Sequence, residues 1–195
     1  MKGLASYLEF IQETELLKGV LRTAWQSSGR RESTAEHSWR LALLASVMLE
    51  EFPELDRSRV LVMCLIHDLG EIYEGDISAA LLPDPAKKLN EELRAVRKVF
   101  SLLPADTGKK YLEIWQEYAE ASTNEALFVK AMDKAETIIQ HNQGKNPPDF
   151  DYEFNLTYGA EYFQGNELLA ELRKRLDRET RKKSEFHRRK KVQKQ

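Results

Sequence analysis

Residues 60–76 read VLVMCLIHDLGEIYEGD. The first part of this stretch, residues 60–66, is apolar on every side, which predicts a central and buried helix. His67 and Asp68 follow the apolar run directly. A carboxylate at such a place is costly to bury unless it is paired with a cation or bound to a metal. The stretch therefore predicts a functional site at the end of a core helix.

Helical spacing and helix-starting signals recur along the rest of the chain, and no segment shows convincing strand alternation. Ser33 and Glu36 predict a capping box, in which each side chain satisfies a free backbone donor of the other residue. Ser122 and Glu125 predict a second one. Asp56 suits the N-cap of the helix that contains the apolar run. These signals predict an all-α fold.

The predicted core helix is expected to continue past His67 to about Tyr73. Gly75 can adopt the left-handed conformation that ends a helix. We expect residues 1–170 to form one helical bundle with a metal site between its core helices. Residues 171–195 are expected to form a basic C-terminal helix or tail.

Composition places the chain among soluble globular proteins. It has 195 residues, of which 42% are hydrophobic and 32% are charged. Its single cysteine, Cys64, allows no internal disulfide, which fits a reducing compartment. The N-terminal residues lack the apolar core of a signal peptide, and no apolar run approaches the roughly 20 residues of a membrane span. We therefore expect a cytoplasmic protein with no membrane contact.

The net charge of −2 hides an uneven distribution. Residues 173–195 carry 12 Lys/Arg and 3 Asp/Glu, so the rest of the chain is acidic. An acidic body does not suit a nucleic-acid-binding core. The basic end could contact RNA, DNA or an anionic surface, but a solvated helix end is the simpler interpretation.

Two further residues are candidates to join His67 and Asp68. His37 lies in the first turn of one predicted core helix, and Asp133 lies in the middle of another. Taken singly, such residues more often face solvent or cap a helix than bind a metal. If the three helices converge, they supply two imidazoles and two carboxylates, a set that suits divalent Mn, Co, Mg, Fe, Ni or Zn.

The order of these residues resembles the HD superfamily of metal-dependent phosphohydrolases. Within that superfamily the chain is similar to the bacterial 5'-deoxynucleotidases and their eukaryotic relatives, over roughly residues 4–145. The most specific block is LIHDLGEIYEGD, and the supporting blocks are RTAW at 22–25, AEHSWR at 35–40, LEIWQEY at 112–118 and KAMD at 130–133.

The resemblance implies a role for each matching residue. It implies a divalent metal cation as cofactor, a nucleoside 5'-monophosphate as substrate and hydrolysis of the phosphate ester. The implied metal ligands are His37, His67, Asp68 and Asp133. The implied catalytic residues are Glu71 and Asp76, which could instead help to hold a second ion. The implied substrate-binding residues are Arg22, Trp25 and Asp76.

One loop departs from the family pattern. The interval between Trp25 and His37 is two residues shorter than in the relatives, and it contains Arg30 and Arg31. Either arginine could take the phosphate-binding role in place of Arg22, so the sugar preference stays open.

Three other functions stay open at this point. The first is a phosphohydrolase of the same fold that acts on a nucleoside triphosphate, an alarmone or a cyclic nucleotide. The second is a non-catalytic HD domain with a regulatory role, and the third is a nucleic-acid-binding protein that works through its basic tail. A homodimer is also possible, with the aromatic-rich residues 150–163 as its contact.

Overall fold

A computed structural model describes residues 3–81 and 84–192 of the protein. The described chain is mostly helical, which confirms the expected all-α bundle. Its helices and strands are α1 (Gly3–Thr14), β1 (Leu21–Trp25), β2 (Arg31–Ser33), α2 (Thr34–Met48), α3 (Arg57–Ile66), α4 (Pro85–Phe100), α5 (Ala105–Glu120), α6 (Asn124–Gln143) and α7 (Glu167–Val192).

Most predicted helix starts agree with the structure. Ser33 Oγ accepts from the backbone N–H of Glu36, and the Glu36 carboxylate accepts from the backbone N–H of Ser33 over 2.8 Å. Asp56 caps α3 by accepting from the N–H of Arg59 over 3.0 Å. The second predicted capping box is wrong, because Thr123 rather than Ser122 is the N-cap of α6. Either hydroxyl has the right chemistry, and the loop geometry decides between them.

The expectation that the chain has no strands is also wrong in detail. Strands β1 and β2 form an antiparallel hairpin in which Leu21 pairs with Ser33 and Trp25 with Arg31. Gly29 sits in its turn with a φ of 90°, a conformation that favours glycine. The strands are short and carry charged side chains, so their local pattern gives little sign of pairing.

Helices α2, α3, α5 and α6 pack around one hydrophobic core. The core includes fully buried Leu41 from α2, Met63 from α3, and Met132 and Ile138 from α6. Because α2, α3 and α6 contact one another directly, side chains at their facing ends can meet at a single point.

The core helix ends earlier than predicted. Helix α3 stops at Ile66, and a short 3-10 turn, Leu69–Glu71, replaces its expected continuation to Tyr73. A Cβ at Gly70 would lie 2.6 Å from the Cβ of Glu92, so glycine lets α4 approach this turn closely. The close packing of α4 against this turn therefore depends on glycine at position 70. Gly75 has the predicted left-handed conformation, with a φ of 86°.

The basic C-terminal helix is part of the packed structure along its first half. Thr180 of α7 is fully buried and hydrogen-bonds Asn142 of α6, and Arg173 is buried in an ion pair with Asp177. Within residues 3–81 and 84–192, no helix has the length and apolar composition to cross a membrane.

Candidate metal centre

His67 is fixed at the end of α3 by two hydrogen bonds. Its Nδ1 lies 2.9 Å from the carbonyl oxygen of Cys64, and its own carbonyl accepts from Trp115 Nε1 over 2.9 Å. A carbonyl oxygen only accepts, so Nδ1 carries the proton. In the neutral imidazole the lone pair is therefore on Nε2, which points away from the helix.

His37 is held in the same way from the first turn of α2. Its Nδ1 lies 2.5 Å from Glu136 Oε2, and both side chains are buried. Burial alone would raise the pKa of Glu136, but His37 and Arg22 lower it below its usual value, so this carboxylate is ionised and accepts the proton. Glu136 was not among the predicted site residues. Its position three residues after Asp133, on the same face of α6, is the signal that could have identified it.

The two Nε2 atoms converge on two carboxylates. His37 Nε2 lies 3.1 Å from Asp133 Oδ1 and 3.9 Å from Asp68 Oδ2, and His67 Nε2 lies 3.0 Å from Asp68 Oδ2. Ligand atoms of His37, His67 and Asp133 lie within 4.8 Å of one another. The structure thus brings together all four residues that the resemblance implied as ligands.

The chemistry of this cluster fits a divalent cation. Each buried Nε2 atom lies 3.0 or 3.1 Å from a carboxylate oxygen, yet neither makes a well-directed hydrogen bond among the described residues, which is costly unless a ligand satisfies it. Each imidazole is oriented by a hydrogen bond at Nδ1, as in metal sites where a carboxylate or carbonyl fixes the tautomer. A mixed nitrogen and oxygen set with open positions suits Mn, Fe, Co, Ni or Zn and does not identify one of them.

Asp133 is held by two side chains that leave one oxygen available. Tyr118 donates to Asp133 Oδ2 over 2.9 Å, and Lys134 donates to the same oxygen over 2.7 Å. Burial opposes ionisation of Asp133, but Lys134 and His37 outweigh it and hold its pKa well below the usual range. Oδ1 is therefore the oxygen that faces the cluster.

Glu71 and Asp76 both line the cavity above the cluster. Glu71 is only 6% exposed and lies 3.5 Å from both Thr34 Oγ1 and Lys88 Nζ. Burial and the negative charges of Asp68 and Asp76 raise the pKa of Glu71 well above its usual value. Glu71 reaches the cavity from the 3-10 turn rather than from a continuous helix.

Of the three candidate phosphate-binding arginines, Arg22 is the one that lines the cavity. It is held by Glu32 and Thr137, each 2.9 Å away. Arg30 is engaged by Glu36, and Arg31 donates to backbone carbonyls of β1. Trp25 lies outside this cavity and lines an adjoining one.

The cavity has a volume of about 270 Å³ and offers three lysines that sequence reasoning missed. They are Lys88, Lys130 and Lys134. Lys130 and Lys134 flank Asp133 in the sequence, which was an available signal, whereas Lys88 comes from α4 through tertiary packing alone. Lys130 Nζ lies 3.7 Å from the centre of the Tyr118 ring, and burial, with the charge of Lys134, lowers its pKa to about 8.

Comparison with known proteins identifies the family of the chain. The family described as HD domain matches residues 14–173. The 5'-deoxynucleotidase HDDC2 of Dictyostelium discoideum is 33% identical over 153 residues, which cover 74% of this chain and 80% of that protein. The human 5'-deoxynucleotidase HDDC2 is 35% identical over 143 residues, which cover 72% of this chain and 69% of that protein.

A solved structure matches most of the fold. It is the crystal structure of a predicted metal-dependent phosphohydrolase from Magnetospirillum magnetotacticum, with a TM-score of 0.79 and 30% identity. The match covers 93% of this chain and 94% of that one. The span that the family model matches, residues 14–173, includes all four clustered residues and the helices that carry them. The chain therefore belongs to the HD domain family.

Proposed function

We propose that the protein is a metal-dependent phosphomonoester hydrolase that acts on nucleoside 5'-monophosphates as a 5'-deoxynucleotidase. The observation that carries the proposal is the convergence of His37 Nε2 and His67 Nε2 on two carboxylates, at the floor of a cavity that also presents three lysines. Relatives with the same domain are named for this activity.

In this proposal His37, His67, Asp68 and Asp133 would hold a divalent cation. Such a cation would supply Lewis-acid chemistry, which in phosphoester hydrolysis polarises a phosphate oxygen and lowers the pKa of a water. We propose Mn, Co, Mg, Fe, Ni or Zn, because the donor set is compatible with each.

The remaining cavity residues position the substrate and move the proton. Water attacks phosphorus, the bond from phosphorus to the 5'-oxygen breaks, and the products are inorganic phosphate and a nucleoside. Glu71 accepts the proton of the water and returns it to the departing 5'-oxygen. Asp76 accepts a hydrogen bond from a sugar hydroxyl, and Arg22 orients the phosphate.

Lys88, Lys130 and Lys134 balance the negative charge that develops on the phosphate oxygens. Lys134 already pairs with Asp133 and Lys88 with Glu71 and Glu92. Lys130 rests over an aromatic ring with no carboxylate within ion-pair distance among the described residues, so it is the lysine most available to a phosphate.

A substrate and metal screen tests the proposal. Phosphate release is measured from deoxy- and ribonucleoside monophosphates, triphosphates and cyclic nucleotides, each with Mg, Mn, Co and Ni and again after chelation. We expect release from 5'-monophosphates, abolished by chelation and restored by metal. Release from triphosphates or cyclic nucleotides alone would favour the hypothesis of a phosphohydrolase with another nucleotide substrate. No release from any substrate would favour a non-catalytic regulatory domain.

Three further sequence-based expectations remain proposals. They are a cytoplasmic location, a division into a helical domain of residues 1–170 and a basic end of residues 171–195, and a homodimer. The aromatic-rich segment packs largely on its own chain, since Phe150 contacts Trp25 and His141. An exposed apolar stripe on α2, consisting of Trp39, Leu43 and Val47, is the alternative dimer surface. Light scattering on the wild-type protein and on Leu43→Glu tests the dimer.

A further inference from the structure

A second cavity of about 250 Å³ opens beside the metal cavity. Its walls include three aromatic side chains, Trp25, Phe150 and Phe154. The two cavities share four lining residues, which are Thr23, Ser78, His141 and Phe154. A ligand in the metal cavity can therefore extend into the aromatic one.

The aromatic walls are fixed before any ligand arrives. The Phe150 ring lies 6.1 Å from the Trp25 ring and 4.9 Å from His141, edge to face in both cases. The Trp25 carbonyl accepts from Gln140 Nε2 over 2.6 Å, which ties the end of β1 to α6. Rigid aromatic surfaces bind a flat ligand at a small entropic cost.

Phe154 marks the boundary between the two cavities. Its ring stacks on Tyr158 with 4.9 Å between the ring centres and 30° between the planes. Tyr158 lines the metal cavity, where Lys134 Nζ lies 4.8 Å from its ring centre. A row of side chains, Lys134, Tyr158 and Phe154, thus runs from the metal cavity to the aromatic cavity.

Charge sets the direction in which a nucleotide can enter. The aromatic cavity is lined by Asp149 and Asp151 and by no lysine or arginine of the described residues, whereas the metal cavity has three lysines and an arginine beside its carboxylates. A phosphate is repelled by the two carboxylates and attracted by the lysines. The phosphate end therefore belongs at the metal and an uncharged flat group at the aromatic end.

We infer that the aromatic cavity of Trp25, Phe150 and Phe154 is the nucleobase subsite. The inference rests on the proposed function, because it places the phosphate of the same substrate at the metal centre. Every base has a π face, so stacking here accepts purines and pyrimidines alike.

A comparison of substrates with and without a base tests this subsite. The probes are deoxynucleoside 5'-monophosphates and 2-deoxyribose 5-phosphate, which has the sugar and phosphate but no base. Phe154→Ala is expected to lower kcat/KM for the nucleotides about tenfold to a hundredfold, the range that loss of one stacked base gives. Phe154→Ala should change kcat/KM for 2-deoxyribose 5-phosphate less than about twofold, because this ester has no base to stack on the ring.

Two variants serve as controls. Phe154→Tyr keeps the ring and should restore the nucleotide activity. Tyr7→Ala removes an exposed aromatic on α1 that lines neither cavity, and it should change the activity on neither substrate. Equal losses on both substrates in Phe154→Ala, or no loss on either, would overturn the inference.

The wild-type protein provides a measurement that does not depend on how the variants fold. It should hydrolyse the nucleotides with a kcat/KM about tenfold or more above that of the base-less ester. Equal values would show that the base contributes no binding energy and would overturn the subsite alone. Absence of phosphate release from both substrates would instead contradict the proposed function.

Discussion

Glu136 Oε2 lies 2.5 Å from His37 Nδ1, and the hydrogen bond turns the other nitrogen of His37 toward Asp133. We therefore expect Glu136→Ala to weaken metal affinity about tenfold to a hundredfold, as loss of an orienting partner does at other metal-bound histidines. Titration with Mn or Co followed by dialysis measures this directly, without turnover.

The matched control is Glu120→Ala, which removes an exposed glutamate at the end of α5 and should leave metal affinity unchanged. Glu136→Gln keeps an acceptor for Nδ1 and should recover part of the affinity. If Glu136→Ala bound metal as tightly as the wild type, Glu136 would have no orienting role.

Glu71 is proposed to move a proton rather than to bind the metal. Glu71→Gln should retain the metal and lower kcat about a hundredfold or more, the usual effect of losing a general acid or base. Elemental analysis and single-turnover rates give the two readouts on one sample.

Glu74→Gln is the control for Glu71→Gln, because Glu74 is an exposed residue close to the same turn. Loss of bound metal in Glu71→Gln would make Glu71 a ligand. Full activity in that variant would remove it from the mechanism.

His141 makes the protein less stable in mild acid. Burial lowers the pKa of His141 to about 4 from its ordinary value of 6.5, despite the hydrogen bond to Asn155. Below pH 6.5 His141 is protonated in the unfolded chain but stays neutral in the folded one. The free energy of unfolding therefore falls as the pH drops toward 4. Between pH 6.5 and 5 the loss amounts to about 2 kcal/mol in the free energy of unfolding.

Denaturant unfolding of the wild type and of His141→Gln at these two pH values measures that loss. The variant has no group to titrate at this position, so its stability should change less over the same interval. Identical changes in the two proteins would mean that His141 does not contribute.

The basic end is expected to be dispensable for phosphate release. A protein shortened after Ser184 keeps the buried contacts of Arg173 and Thr180 and removes much of the positive charge. Its kcat/KM for nucleotides should stay within about twofold of the wild type, since the removed residues that the structure describes line neither cavity and the exposed ion pair of Arg188 with Glu153 contributes little to the fold. Loss of phosphate release together with loss of RNA or DNA binding would favour the hypothesis of a nucleic-acid-binding protein.

The sequence predicted which candidate ligands lie together better than it predicted the path of the chain around them. The apolar run before His67 and the position of Asp133 within α6 depend on local patterns, and these residues meet as expected. The end of α3 was placed too late, and the close approach of α4 at Gly70 is a tertiary effect that local patterns do not show. The hairpin of β1 and β2 was missed because pairing between two short strands leaves no local periodicity.

Local sequence patterns likewise could not identify the residues that reach the site only through tertiary packing. Lys88 comes from α4, and its distance to Glu71 depends on how that helix lies across the 3-10 turn. Phe154 reaches the cavity from a short 3-10 turn, Glu153–Leu156, which is too short to show a periodicity in the sequence. Glu136 is different, since its spacing from Asp133 was readable in the sequence.

The central claim is that side chains from α2, α3 and α6 meet around one divalent cation. Anomalous diffraction from crystals grown with Mn tests it most directly. We predict a single strong peak within coordination distance of His37 Nε2, His67 Nε2 and carboxylate oxygens of Asp68 and Asp133. A fully occupied peak elsewhere, or none between these four residues at saturating Mn, would contradict it.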